Sequence, residues 1–142
     1  MRAIKFRAWD AENEVMINEN FYEFIMFDGT PIEVSASYGD VYRSPLNYVL
    51  MQFTGLSDSN GDGIYEGDIV KYTSRYRGDV MDCVVVFDSK QGQYKFCPFS
   101  MYKANAGDGG WTGFEYTTAK RTEIIGNIYD NKSLLDNEEE TK

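Results

Sequence analysis

The sequence predicts an all-β or β-dominated fold with at most minor helix, and three observations carry that expectation. Tyrosine (11) and phenylalanine (9) far outnumber leucine (5). Aromatic and β-branched residues suit a pleated, half-buried surface, whereas leucine-poor chains make poor helical bundles. Thirteen glycines punctuate short apolar runs, as expected of short strands joined by turns. At 142 residues and 42% hydrophobic content, the chain is long enough to bury a core without disulfides or metal.

The elements follow in order. Residues 4–9 alternate, with Ile4, Phe6 and Ala8 on one face of a strand and Lys5, Arg7 and Trp9 on the other. Residues 10–14 are polar and turn-like, and residues 15–17 return as a short strand. Residues 21–27 fit a helix by the spacing of Phe21, Phe24 and Ile25, and a strand by aromatic density. Asp28-Gly29-Thr30-Pro31 marks a turn before a strand at 32–34. Residues 35–45 are polar and predict a loop. Residues 46–53 are apolar on both faces, which suits a central strand covered on two sides. Residues 55–63 predict a loop, and strands at 64–65 and 69–72 flank a turn at Glu66-Gly67-Asp68. A polar connection at 74–79 leads into 80–87, the clearest strand of the chain. Residues 88–92 turn, 93–96 return, 101–110 form a small-residue loop, and 111–117 and 122–129 read as strands. Leu134-Leu135 marks one helical turn before the acidic Glu138-Glu139-Glu140 tail.

These elements predict a compact two-part fold. Residues 1–55 contribute an N-terminal β part to a shared core. Residues 56–130 form a small β-barrel-like part, built from 64–72, 80–87, 93–97, 111–117 and 122–129. Residues 131–142 are an acidic tail.

Composition excludes several chemistries. The chain has no histidine, which removes Ser-His-Asp and Cys-His catalysis and every zinc site that uses imidazole. Its formal net charge is −9, so a nucleic-acid duplex is repelled at long range and a general nucleic-acid role is not expected. The acidity is concentrated in the N-terminal part and the tail, while residues 61–129 are nearly neutral. Cys83 sits in a run where Met81, Cys83, Val85 and Phe87 share one strand face. Buried reduced thiols are the favoured state for Cys83 and Cys97, with a disulfide between them the alternative. The N-terminus has no apolar run of signal-peptide length, and no stretch has the length of a membrane span. A soluble, cytoplasmic chain is expected.

Few residue patterns point to a site. Asp58-Ser59-Asn60-Gly61-Asp62-Gly63 opens like a calcium loop, with Asp58, Asn60 and Asp62 as oxygen donors. Position 12 of that loop falls on Ile69, however, and neither flank reads as a long helix, so a polar Asn-Gly turn is favoured. The carboxylate pairs Glu66/Asp68 and Asp79/Asp82 lack any sign of an apolar pocket that would raise a pKa, and solvated turns are expected. Gly61-Asp62-Gly63 and Asp108-Gly109-Gly110 lack phosphate-loop spacing. Lys71, Tyr72, Arg75, Tyr76 and Arg77 interleave base with aromatic, the most nucleic-acid-like patch in the chain. A polar hairpin tip is its plainer reading. The aromatics Phe21, Tyr22, Phe24, Phe27, Tyr38, Tyr42 and Tyr48 crowd the N-terminal half, as at an interface or in a tyrosine-rich core.

Three segments together resemble the YopX family of phage and prophage proteins. They are residues 1–10 (MRAIKFRAWD), residues 50–61 continuing through Ile64-Tyr65-Glu66-Gly67-Asp68-Ile69-Val70, and residues 123–131 (EIIGNIYDN) followed by Leu134-Leu135. The resemblance implies a mostly β protein of phage or prophage origin, with no assigned activity, catalytic residue or cofactor. The Gly67-Asp68-Ile69-Val70 start is similar to the first strand of small SH3-like barrels. There Gly67 permits a tight turn and Asp68 caps neighbouring amides. The expectation is a non-enzymatic accessory protein acting through protein–protein contacts or self-assembly, as a homo-oligomer or with a phage or host protein. The alternative is a nucleic-acid-binding module using the 71–77 patch.

Overall fold

The structure, a computed structural model, describes residues 3–18, 24–25, 31–37, 40–45, 48–74, 78–105 and 116–140. Along these residues the chain forms β1 (Phe6–Asp10), β2 (Val15–Ile17), β3 (Phe24–Ile25), β4 (Pro31–Ser37), β5 (Asp40–Pro45), β6 (Tyr48–Ser57) and β7 (Gly63–Tyr65). It continues as β8 (Asp68–Thr73), β9 (Val80–Asp88), β10 (Gln93–Pro98), α1 (Phe99–Asn105), a 3₁₀ turn (Tyr116–Arg121), β11 (Thr122–Asn127) and α2 (Lys132–Glu140). The fold is β-dominated, as predicted, and one of its larger sheets curls into a half-barrel. One antiparallel sheet runs β2-β1-β6-β7, a second runs β10-β9-β8-β11, and β3-β4-β5 form a third.

The second sheet is covered on both faces, because successive residues of its strands point to opposite sides. Val70, Tyr72, Cys83, Val85 and Phe96 pack on one face with Ile64 of β7 and Ala119 of the 3₁₀ turn. Ile69, Val84, Val86, Cys97 and Phe99 pack on the other, against Tyr102 of α1 and Leu134 and Leu135 of α2. Met81, Cys83 and Val85 share a face as expected, while Phe87 emerges 43% exposed. In the β9–β10 register Cys97 faces Val84 and Cys83 faces Pro98. The two thiols therefore lie on opposite faces of the sheet, and both are free and buried. Burial pushes the Cys97 thiol up to about 11.

Several local expectations are corrected. Residues 35–45 are not a loop, because β4 and β5 form a hairpin with Ser35 opposite Tyr42 and Ser37 opposite Asp40. The alternation of Ile32, Val34 and Ala36 with Glu33, Ser35 and Ser37 runs on past residue 34, but the serines, Gly39 and Asp40 read as loop composition. β6 continues through the predicted loop start to Ser57, accommodated by an irregular register against β7. Residues 99–105 are helical rather than looped. Phe99, at the head of α1, is 1% exposed, and this tertiary anchor outweighs a small-residue composition. Residues 116–121 form a 3₁₀ turn where the end of a strand was expected, and residues 111–115 lie outside the described residues. The turn expected at Leu134-Leu135 extends to a nine-residue helix.

Gly67 occupies the junction of the two larger sheets. Its φ is +83°, and a Cβ there would meet Met51 Sδ at 3.3 Å and Tyr129 Cε2 at 3.6 Å. Its amide donates to Val85 O and its carbonyl accepts from Ile128 N, both at 2.9 Å. Gly67→Ala is expected to lower the unfolding free energy by about 2 kcal/mol, combining left-handed backbone strain with crowding against Met51. Urea denaturation checks it, and a midpoint within error of the parent rejects the assignment. Gly126 is a second close approach, since a Cβ would lie 2.5 Å from Asn131 Oδ1. That oxygen accepts from Asn127 N, while Asn127 Oδ1 accepts from the amides of Tyr129 and Asp130.

Candidate functional site

Arg7 and Trp9 share one face of β1 and are buried there, as Ala8 and Asp10 are on the other, while Lys5 precedes the strand on the same side as Arg7 and is exposed. Lys5 lies over the Phe53 ring at 4.9 Å, and the Trp9 ring stacks on Tyr129 with centroids 5.5 Å apart. Arg7, 9% exposed, pairs with Asp68, 2% exposed, at 2.8 Å. Arg7 Nη2 also donates to Glu66 O at 3.1 Å, and the guanidinium lies over the Tyr65 ring at 4.9 Å. Its Nε is buried with no hydrogen-bond partner. Asp68 Oδ2 accepts from Tyr65 N at 2.8 Å, the amide cap expected of it. Burial raises the Asp68 carboxyl above its ordinary value, and the Arg7 charge opposes that rise without cancelling it.

The expectation that Glu66 and Asp68 are solvated turn residues is therefore corrected. The turn is buried because β1 and the 127–131 segment close over it. Glu66 Oε1 accepts from Gln52 N at 3.0 Å, and burial raises its carboxyl also, against the pull of the Gln52 amide and Arg7. Of the second pair, Asp79 is exposed and Asp82 half-buried.

Beside this turn lies a cleft of about 320 Å³, walled by Leu50, Met51, Val86, Ile128 and Tyr129, with Glu66 and Tyr102 reaching into it. Val49 and Phe87 stand on its rim at 40% and 43% exposure. Burial pushes both phenols up: Tyr102 is helped by Cys97, and Tyr129 by Tyr102 and Glu66. A phenol raised from 10 is a poor base at neutral pH, and Glu66 is tied to a backbone amide.

The calcium-loop candidates resolve into a backbone clasp. Asp58 is 5% exposed. Its Oδ1 accepts from Asn60 N at 3.0 Å and Asp62 N at 2.9 Å, and its Oδ2 from Ile124 N at 3.0 Å. Burial works to raise this carboxyl, but the amides of Ile124, Asp62, Asn60 and Gly61 prevail and hold it below its ordinary value. Asn60 and Asp62 are exposed. Among the described residues, no three acids or cysteines are grouped as metal ligands.

Of the basic–aromatic patch, Tyr72 is 6% exposed and belongs to the core, so the stacking role read for it is corrected. Strand alternation turns Tyr72 inward and leaves Lys71 outside. Arg75, Tyr76 and Arg77 lie outside the described residues, as do Phe21, Tyr22, Phe27 and Tyr38 of the aromatic group. Around Lys71 the fold gathers residues that sequence reading did not single out. Ser59, Thr73, Lys120 and Arg121 line a groove of about 520 Å³ with Lys71. The pairing of β8 with β11 creates it, and no local pattern announces that pairing.

The comparisons with known proteins agree on one family and one fold. A family model described as YopX protein matches residues 5–136. Protein EF1440 from Enterococcus faecalis is 24% identical with a TM-score of 0.54, over 95% of this chain and 99% of that one. Protein yopX from Bacillus subtilis is 22% identical with a TM-score of 0.56, over 95% of this chain and 97% of that one. At these identities the likeness shows the fold. No curated protein matches the chain.

Proposed function

The chain belongs to the YopX family, and from that premise we propose that it is a phage- or prophage-encoded accessory protein that performs no chemistry of its own. It works in the host cytoplasm through protein contacts, with a second copy of itself as the partner. No helix among the described residues is long and apolar enough to cross a membrane, in keeping with that location.

The observation that carries the proposal is the cleft with Val49 and Phe87 on its rim. A chain of net charge −9 repels its own copy unless contact falls on a patch poor in carboxylates. The cleft meets that condition, since its one carboxylate is Glu66, turned toward the Gln52 amide. Apolar and aromatic residues are also those favoured at the centre of an interface. The non-enzymatic reading draws on the same geometry. The buried charges Arg7, Asp68, Asp88 and Lys95 are engaged in ion pairs of 2.8 Å and 2.9 Å.

Size-exclusion chromatography with light scattering tests the assembly. The parent chain is expected as a dimer, and Val49→Ser with Phe87→Ser as a folded monomer whose melting midpoint is lowered by the lost Phe87–Tyr94 ring contact and the lost dimer linkage. Both positions are exposed, so substitution there removes little core packing. A parent chain that stays monomeric at high concentration overturns the self-association.

A further inference from the structure

We infer that the groove between β8 and β11 holds the phosphodiester backbone of a single-stranded nucleic acid. Three cations converge there from separate parts of the chain. Lys71 projects from the middle of β8, and Lys120 and Arg121 close the 3₁₀ turn that feeds β11. Ser59 and Thr73 place hydroxyls on the same wall. The groove is fixed from below: Ser59 N donates to Thr122 O at 2.9 Å, and Asp58 holds the Ile124 amide. Thr122 Oγ1 donates to Ala119 O at 2.6 Å, which locks the turn to the strand.

These three cations are exposed, and among the described residues no carboxylate lies within ion-pair distance of any of them. Arg7 and Lys95 differ, each being buried on an aspartate. Glu123 of β11 also lines the groove, Asp82 of β9 is the other register neighbour of Lys71, and Asp58 lies beneath with its carboxylate taken up by backbone amides. The lining itself sets three cations against one carboxylate within an otherwise acidic chain.

The chemistry favours a repeating phosphate ligand. Long, exposed Lys and Arg side chains with hydroxyls between them suit successive phosphates of a flexible strand. A lone phosphate offers one compact anion, whereas a strand offers an anion at every nucleotide along the groove. A duplex presents a rigid, densely charged cylinder to a chain of net charge −9 and is repelled. With Tyr72 turned into the core, no base-stacking platform comes from that residue. Recognition falls on the backbone and tolerates any sequence.

Fluorescence anisotropy with a labelled deoxythymidine strand of about 16 nucleotides tests this. Saturable binding is expected at about 50 mM salt, weakening roughly tenfold to twentyfold by about 200 mM for three phosphate contacts. K71E/K120E/R121E is expected to reduce affinity at least about tenfold, and K71Q/K120Q/R121Q to do so more mildly should charge reversal perturb folding. K90E/K103E/K132E, the same charge change placed elsewhere, is expected to bind more tightly than the groove variant. The inference is overturned by no binding at low salt, by equal losses in the groove and remote variants, or by equal affinity for the matched duplex.

Discussion

Arg7→Leu is expected to lower the unfolding free energy by about 3–5 kcal/mol, the range for removing one partner of a buried ion pair. The loss comes mainly from what remains. Asp68, 2% exposed, keeps a charge that Arg7 no longer offsets, and Glu66 O loses a donor. The pH dependence separates this cause from simple loss of packing. The folded-state carboxyl of Asp68 is already raised above 3.8, so the folded state holds that proton more tightly than the unfolded chain. Stability linked to this group is therefore greatest at low pH and declines as pH rises from 3.8 through the raised folded value. Without Arg7 the rise is larger. The destabilisation should then be greatest at neutral pH and shrink as pH falls toward 3.8, where Asp68 becomes protonated. Urea denaturation of the parent and variant across that range measures it. A difference independent of pH would assign the effect to the stacking and packing of the guanidinium. Arg7→Leu with Asp68→Asn is expected to recover part of the loss, because the uncompensated charge is gone while an acceptor for the Tyr65 amide remains.

Asp58→Ala is expected to be nearly as damaging, at about 3 kcal/mol. Three backbone amides, of Asn60, Asp62 and Ile124, lose one shared carboxylate, and hydrogen bonds to a charged acceptor are worth about 1.5–3 kcal/mol each, with partial recovery from water. The last of these bonds joins residues 66 apart in sequence, so the substitution leaves the 58–62 loop tied to β11 by the Ser59 N to Thr122 O bond without the Asp58 clasp. Asp58→Asn should lose less, since an amide oxygen still accepts. Thermal melting measures both, and adding calcium to the parent chain is expected to leave its midpoint unmoved. A rise in the midpoint with calcium would restore the metal-loop reading, by mass action. A loss under about 1 kcal/mol in Asp58→Ala would show that solvent replaces the clasp.

The strands at 15–17, 64–65, 69–72, 80–87 and 93–96 were legible because each keeps its own period or ends at a turn signal. The β4–β5 hairpin was not: Ile32, Val34 and Ala36 do alternate with Glu33, Ser35 and Ser37, but the serines, Gly39 and Asp40 read as loop composition. Nor was α1, whose position follows from Phe99 being buried against the second sheet. The site residues divide the same way. Lys71 stood out beside its basic neighbours, but Lys120 and Arg121 became partners only through the pairing of Thr122 with Tyr72 and Glu123 with Lys71. Tyr72 was misplaced for a related reason. A cluster of basic and aromatic residues does not reveal which face of the strand is covered.

By itself the sequence determined the strand-rich class, the family and the absence of imidazole chemistry, because these depend on composition, local period and matching segments. Only the tertiary structure decided which charges are buried and which are free to meet a ligand. Arg7 and Glu66 stand 59 residues apart, and Asp68 becomes a desolvated partner only when β1 closes over the turn. Desolvation is imposed by atoms distant along the chain, and a local pattern carries the period of a strand without naming its neighbour across the fold.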